Sequence, residues 1–160
     1  MILLDKGQLT RIIKRMAYQV VEEARGKPIC MIGLNERGFA VVSVMKEYVS
    51  EALGSEFTVH QLWAEDDSTF NFDDKIEENT VLVMVDDVIF SGLTMFKALN
   101  KIPELTSFNN VCVAAVVDRG HRKLPVQAGI VGLKVPTKLN EHVDFQLSEN
   151  QPHKVILLKK

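Results

Sequence analysis

Apolar residues recur at helical spacing from Lys6 to Arg25, with Leu9, Ile12, Ile13, Met16, Val20 and Val21 sharing one predicted face and Gly26 with Pro28 closing the segment. A continuous apolar run follows, Pro28-Ile29-Cys30-Met31-Ile32-Gly33-Leu34, whose brevity and bounding punctuation predict a buried strand. The helical period returns from Phe39 to Leu53 on Val41, Met45, Tyr48 and Ala52, and Gly54 stands where a C-terminal cap belongs. Phe57–Leu62 reads as a strand. Ala64–Thr80 is acidic and aperiodic, which predicts an exposed loop. Val81–Val85 is the clearest buried strand of the chain. Beyond it the pattern predicts a short helix at Thr94–Ile102, a buried strand at Val111–Val117, a last central strand at Ile130–Val135, and late strands at Val143–Leu147 and Val155–Leu158.

Short apolar strands alternating with amphipathic helices require crossover connections, hence a mostly parallel central sheet flanked by helices: one α/β domain over residues 1–160. The length suits a single domain, and 46% hydrophobic with 25% charged residues is the balance of a packed fold. Nineteen basic against 21 acidic residues leave a formal charge of −2, so no general attraction to nucleic acid or an anionic membrane is expected, only a local basic face. Cys30 and Cys112 sit inside apolar runs and read as small buried hydrophobes, with no disulfide framework and no zinc-type pair. His60, His142 and His153 are dispersed, and no metal-ligand cluster is legible. No apolar stretch approaches the roughly 18–20 residues that span a bilayer, and the start of the chain lacks a secretory pattern, so a cytoplasmic location is expected.

In such sheets ligands bind beyond the carboxyl ends of the strands. After the first strand lies Asn35-Glu36-Arg37-Gly38, where Gly38 permits a tight backbone and Arg37 can fork onto an anion; a glycine turn with a surface arginine fits equally well. A Walker-type reading fails, because Phe39-Ala40 replaces the required Lys-Ser/Thr. After the clearest strand comes Asp86-Asp87-Val88-Ile89-Phe90-Ser91-Gly92-Leu93-Thr94. Its helix start and the Ser91 and Thr94 hydroxyls suit a phosphate monoester, and Asp86 and Asp87 suit sugar hydroxyls or a hydrated Mg²⁺. An acidic turn with Ser91 or Thr94 merely capping the helix is the plainer alternative. After the next strand, Asp118-Arg119-Gly120-His121-Arg122-Lys123-Leu124-Pro125 is a charged knot placed either for binding or as a solvated basic turn. Trp63, ahead of the acidic loop, fits a packed position or a lid equally well.

Together these stations resemble a type I phosphoribosyltransferase, with Val81–Thr94 similar to that family's PRPP-binding motif. Val117–Pro125, Gly132, Val135-Pro136-Thr137, Arg15-Met16-Ala17 and Ile32–Gly38 narrow the likeness to the pyrimidine-operon regulators with uracil phosphoribosyltransferase activity. The resemblance implies a type I phosphoribosyltransferase fold with a small hood, and an enzyme that converts uracil and PRPP to UMP and pyrophosphate with Mg²⁺. By position, Ser91, Gly92 and Thr94 would hold the 5′-phosphate, with Leu93 contributing backbone only. Asp86 and Asp87 would bind the ribose hydroxyls, Arg37 and Gly38 would lie in the pyrophosphate loop, and Asp118, Arg119, Gly120 and His121 would border the base. Asp86, Asp87 and Arg37 are then the candidate catalytic residues, and Mg²⁺ would be held mainly by PRPP and water.

Purine-type members carry an acid where this chain has Phe90, which favours a pyrimidine. The family likeness also implies a homodimer or higher homo-oligomer with a basic face for an RNA stem-loop, and Arg11, Lys14, Arg15, Arg119, Arg122 and Lys123 are the residues that could form it. Three features depart from the pattern. Leu93 replaces a usual basic residue, Glu36 replaces an uncharged one, and the long flexible segment that normally closes over PRPP is cut to Ala64–Thr80. Three functions fit: an active uracil phosphoribosyltransferase, a catalytically weak nucleotide-sensing RNA-binding attenuator, and a phosphoribosyltransferase for another base.

Overall fold

The N-terminal helix α1 (Lys6–Ala24) is started by Asp5, whose Oδ1 accepts the Gln8 N–H at 2.8 Å while Gln8 Oε1 accepts the Asp5 N–H at 2.9 Å. This reciprocal cap satisfies two donors at the helix entry, where a cap is worth about 1 kcal/mol. The computed structural model describes residues 1–160. Its other elements are β1 (Ile2–Leu4), β2 (Ile29–Leu34), α2 (Asn35–Leu53), β3 (Val59–Leu62), β4 (Val81–Ile89), α3 (Leu93–Asn100), β5 (Asn110–Asp118), β6 (Ile130–Lys134), β7 (Glu141–Ser148) and β8 (Gln151–Lys159).

Five strands form a parallel sheet in the order β3-β2-β4-β5-β6. Alternation along β4 sends Val81, Val83 and Val85 to a core shared with α1 and α2, and Leu82 and Met84 to a second core beneath α3. Both faces are buried, which is why this strand reads as one unbroken apolar run. The expected α/β fold is therefore the one observed. The connection from β5 to β6 contains no helix; Leu124, Val126 and Ala128 of that segment pack on the α3 side in its place.

A second, antiparallel sheet, β1-β8-β7, carries the hood. Val143, Phe145 and Val155 anchor it in the core made by α1 and α2. Three local expectations need revision. α2 starts at Asn35 rather than Phe39, so the supposed loop Asn35–Gly38 is the helix's first turn. β4 continues past Val85 to Ile89, carrying Asp86 and Asp87 inside the ladder with β5. The Ala64–Thr80 segment has no regular structure, but it is not simply exposed. Ala64 is buried, and Phe70, Phe72 and Ile76 pack against the α3-side core, with His60 edge-on to Phe72 at 5.4 Å between ring centroids. Its acidic side chains remain at the surface.

Candidate functional site

The chain leaves β2 toward β3 on one side, whereas β4 is followed by β5 on the other, so the sheet's switch point falls between the carboxyl ends of β2 and β4. Two glycines bring those ends together. A Cβ on Gly33 would stand 2.5 Å from the Gly38 carbonyl oxygen, and one on Gly38 would stand 2.7 Å from that of Val85. Only hydrogen at both positions lets the first turn of α2 press against β4. Within that turn, Arg37 Nε donates to the Phe145 carbonyl at 2.7 Å, tying the turn to the hood. Glu36 is exposed and does not pair with Arg37.

At the end of β4, Asp86 is 4% exposed, and its Oδ1 accepts the Asp87 N–H at 2.9 Å. Burial above all, then the charge of Asp87, pushes the Asp86 carboxyl well above the usual carboxylate range. Asp87 is half-buried. Gly92 then adopts φ +86°, a left-handed conformation that suits glycine, and opens α3. Ser91 Oγ accepts the Leu93 N–H at 3.2 Å, so this hydroxyl shapes the turn. The first turn of α3 presents N–H groups that have no intrahelical acceptor. The Thr94 hydroxyl, in contrast, donates to Glu65 Oε1 at 2.9 Å.

The third station is stitched to the second: the Lys123 N–H donates to the Ser91 carbonyl at 2.8 Å, and Arg122 Nη1 to that of Phe90 at 2.8 Å. Asp118 closes the turn, accepting the Gly120 N–H at 2.9 Å and Arg122 Nη2 at 2.8 Å. Arg119 is buried over the Phe90 ring, 4.1 Å from its centroid, and donates to Thr137 Oγ1 and the Glu141 carbonyl. Burial lowers its pKa, opposed by the charge of Glu141. His121 Nε2 lies 2.6 Å from the Thr137 carbonyl, which requires the N–H at that nitrogen. Asp86, Asp87, Ser91, Gly92, Leu93 and Thr94 thus follow one another from the end of β4 into α3, and the turn carrying Gly120 and His121 is tied to them through the Phe90 and Ser91 carbonyls. The side chains of Asp118 and Arg119 are bonded within the fold, whereas Arg37 is exposed with Nε its one bonded nitrogen.

Several participants carried no signal in the sequence. Glu65 and Lys97 pair at 3.0 Å beside Thr94. Lys101 Nζ donates to the carbonyls of Trp63 and Asp66 at 2.6 and 2.8 Å, and Asn35 Oδ1 accepts the Ala64 N–H at 2.9 Å. These ties span 29 to 38 residues and pass through a stretch that composition marks only as acidic. Of the six basic positions, Arg119 is buried and Arg122 is paired with Asp118, while Arg11, Lys14 and Arg15 on α1 and Lys123 after β5 remain exposed. Cys30 and Cys112 are buried, their thiols pushed by that burial up to about 12 and about 11, so neither is a nucleophile at neutral pH.

A family model for the phosphoribosyl transferase domain matches residues 2–150. The bifunctional protein PyrR of Streptococcus mutans is 31% identical across 99% of this chain and 95% of its own length. The pyrimidine operon regulatory protein of Lactococcus lactis subsp. lactis is 30% identical across 99% and 96%. Among solved structures, the hypoxanthine phosphoribosyltransferase of Trypanosoma cruzi superposes with a TM-score of 0.76 at 16% identity, covering 99% of this chain and 95% of that one. A hypoxanthine-guanine phosphoribosyltransferase of Bacillus anthracis gives 0.75 at 20% identity, covering 98% and 96%. At such identities the structural likeness speaks for the fold alone.

Proposed function

The chain belongs to the phosphoribosyl transferase domain family, and from that premise we propose that it transfers the phosphoribosyl group of PRPP to uracil, releasing UMP and pyrophosphate. The observation that carries the choice of base is Phe90. An aromatic ring clamped beneath Arg119 stands directly before the phosphate-type loop, where purine-type members place an acid. The names of the relatives from Streptococcus mutans and Lactococcus lactis point the same way.

In this reading residues 1–160 act as one unit. The α3 start, with Ser91, Gly92, the Leu93 backbone and Thr94, receives the 5′-phosphate. Asp86 and Asp87 meet the ribose hydroxyls, and Arg37 and Gly38 border the pyrophosphate. Gly120 and His121 face the base, with the backbone of Asp118 and Arg119 bordering it. The bond from the anomeric carbon to pyrophosphate breaks, uracil N1 bonds to that carbon and loses its proton, and the ribose passes through a positively charged state. The half-buried Asp87 is the carboxylate placed to stabilise that charge. The hard oxygens of Asp87 also suit Mg²⁺, which would take its other ligands from PRPP and water and neutralise the departing pyrophosphate.

The name of the Lactococcus lactis relative favours a second reading, a nucleotide-sensing regulator with weak turnover, whose exposed Arg11, Lys14 and Arg15 would meet RNA on the face of a homodimer or higher homo-oligomer. One assay separates the readings: protein with PRPP, Mg²⁺ and each of uracil, hypoxanthine, guanine and orotate. UMP from uracil alone is expected. A nucleotide formed from a different base would replace uracil as the substrate. No product from any base, with UMP still raising the melting temperature, would establish the regulator instead.

A further inference from the structure

The acidic segment that leaves β3 is tied both to α3 and to the first turn of α2. Glu65 Oε1 accepts the Thr94 hydroxyl at 2.9 Å, and Oε2 meets Lys97 Nζ at 3.0 Å. The backbone around it is anchored independently. Lys101 Nζ takes the carbonyls of Trp63 and Asp66, and the Ala64 N–H reaches back to Asn35 Oδ1 on the first turn of α2. Gln61 Nε2 adds a bond to the Asn35 carbonyl at 3.0 Å. The strap therefore joins the two loops that flank the switch point, and the Glu65 position does not depend on its ion pair alone. Glu65 thus holds the one side-chain hydroxyl that the first turn of α3 offers, with Lys97, one turn further along the helix, fixing its other oxygen.

We propose that Glu65 is a built-in occupant of the 5′-phosphate position, a specificity-determining residue that admits a phosphorylated ligand only when the strap of residues 63–66 lifts. The inference rests on reading residues 91–94 as the phosphate loop. Leu93, an exposed residue, brings no cation to the loop, so the cation that meets Glu65 on α3 is Lys97. The bonds to Lys97 and Thr94 hold the Glu65 carboxyl below the usual range, so the occupant is an anion under ordinary conditions. An arriving phosphate would meet like charge and find Thr94 and Lys97 already engaged.

The test is calorimetric titration of ribose 5-phosphate into the wild type, Glu65→Ala and Glu65→Gln, with hydrogen exchange of residues 63–67 followed in the wild type. Glu65→Ala is expected to bind at least tenfold more tightly than the wild type. Glu65→Gln, which keeps the size and loses the charge, should show a smaller gain. Saturating the wild type should accelerate exchange along the strap. Equal affinities in all three proteins would overturn the role of Glu65 while leaving the phosphate loop in place. Failure of all three to bind at millimolar ligand would overturn the phosphate loop, and this inference with it.

Discussion

Asp86 is buried to 4% exposure with one hydrogen bond, from its neighbour's backbone, to its carboxylate. Burial raises its folded-state pKa, so above the ordinary aspartate range the folded chain holds a proton that the unfolded chain has lost. Stability contributed by this residue therefore falls as pH rises from that range toward the raised value. Asp86→Asn, isosteric and uncharged, should stabilise the protein by about 1–2 kcal/mol at neutral pH and flatten this slope, as read by calorimetric melting from pH 4 to 8. An unchanged melting temperature across that range would mean that Asp86 ionises as an ordinary surface acid. The paired acids were legible in the sequence as a candidate site. Their unequal burial was not, because it depends on strand β4 continuing through them.

The boundary of an element follows its hydrogen-bond ladder rather than the end of its apolar period. β4 outruns its hydrophobic stretch because Asp86 and Val88 stay in register with Ala115 and Val117 of β5. α2 begins four residues before its periodic face, at Asn35, because Gly33 and Gly38 let that turn close against β4. Gly38→Ala is expected to cost about 1–3 kcal/mol, since its Cβ would meet the Val85 carbonyl at 2.7 Å and a strand backbone cannot yield cheaply. The same change should separate the two loops of the crevice and weaken ribose 5-phosphate binding. Urea denaturation and titration of the one variant measure both effects. The glycines were visible as a tight turn, but the carbonyls they must avoid belong to other parts of the fold.

Across the whole molecule, the hood and the α1–α2 layer share one core, in which Phe145 is 1% exposed beside Val143 and Val155. The Phe145 carbonyl also accepts Arg37, 108 residues away, so the hood holds the crevice's first turn. Phe145→Ala should destabilise the chain by about 3–5 kcal/mol, in a single transition seen alike by far-ultraviolet circular dichroism and by Trp63 fluorescence. Two separated transitions would show the hood to be an independent layer. Taken by itself, the sequence determined the alternation of strands and helices, the parallel sheet, and the three strand-end stations, because those depend on local periodicity and on residue types adjacent in the chain. Only the tertiary structure decided which charges in those stations are free. Asp118 and Arg119 found partners inside the fold, Arg37 stayed exposed with only Nε bonded, and Glu65 found Thr94. Most of these pairings join residues far apart in the chain, and a side chain's availability is set by what the completed fold brings to it.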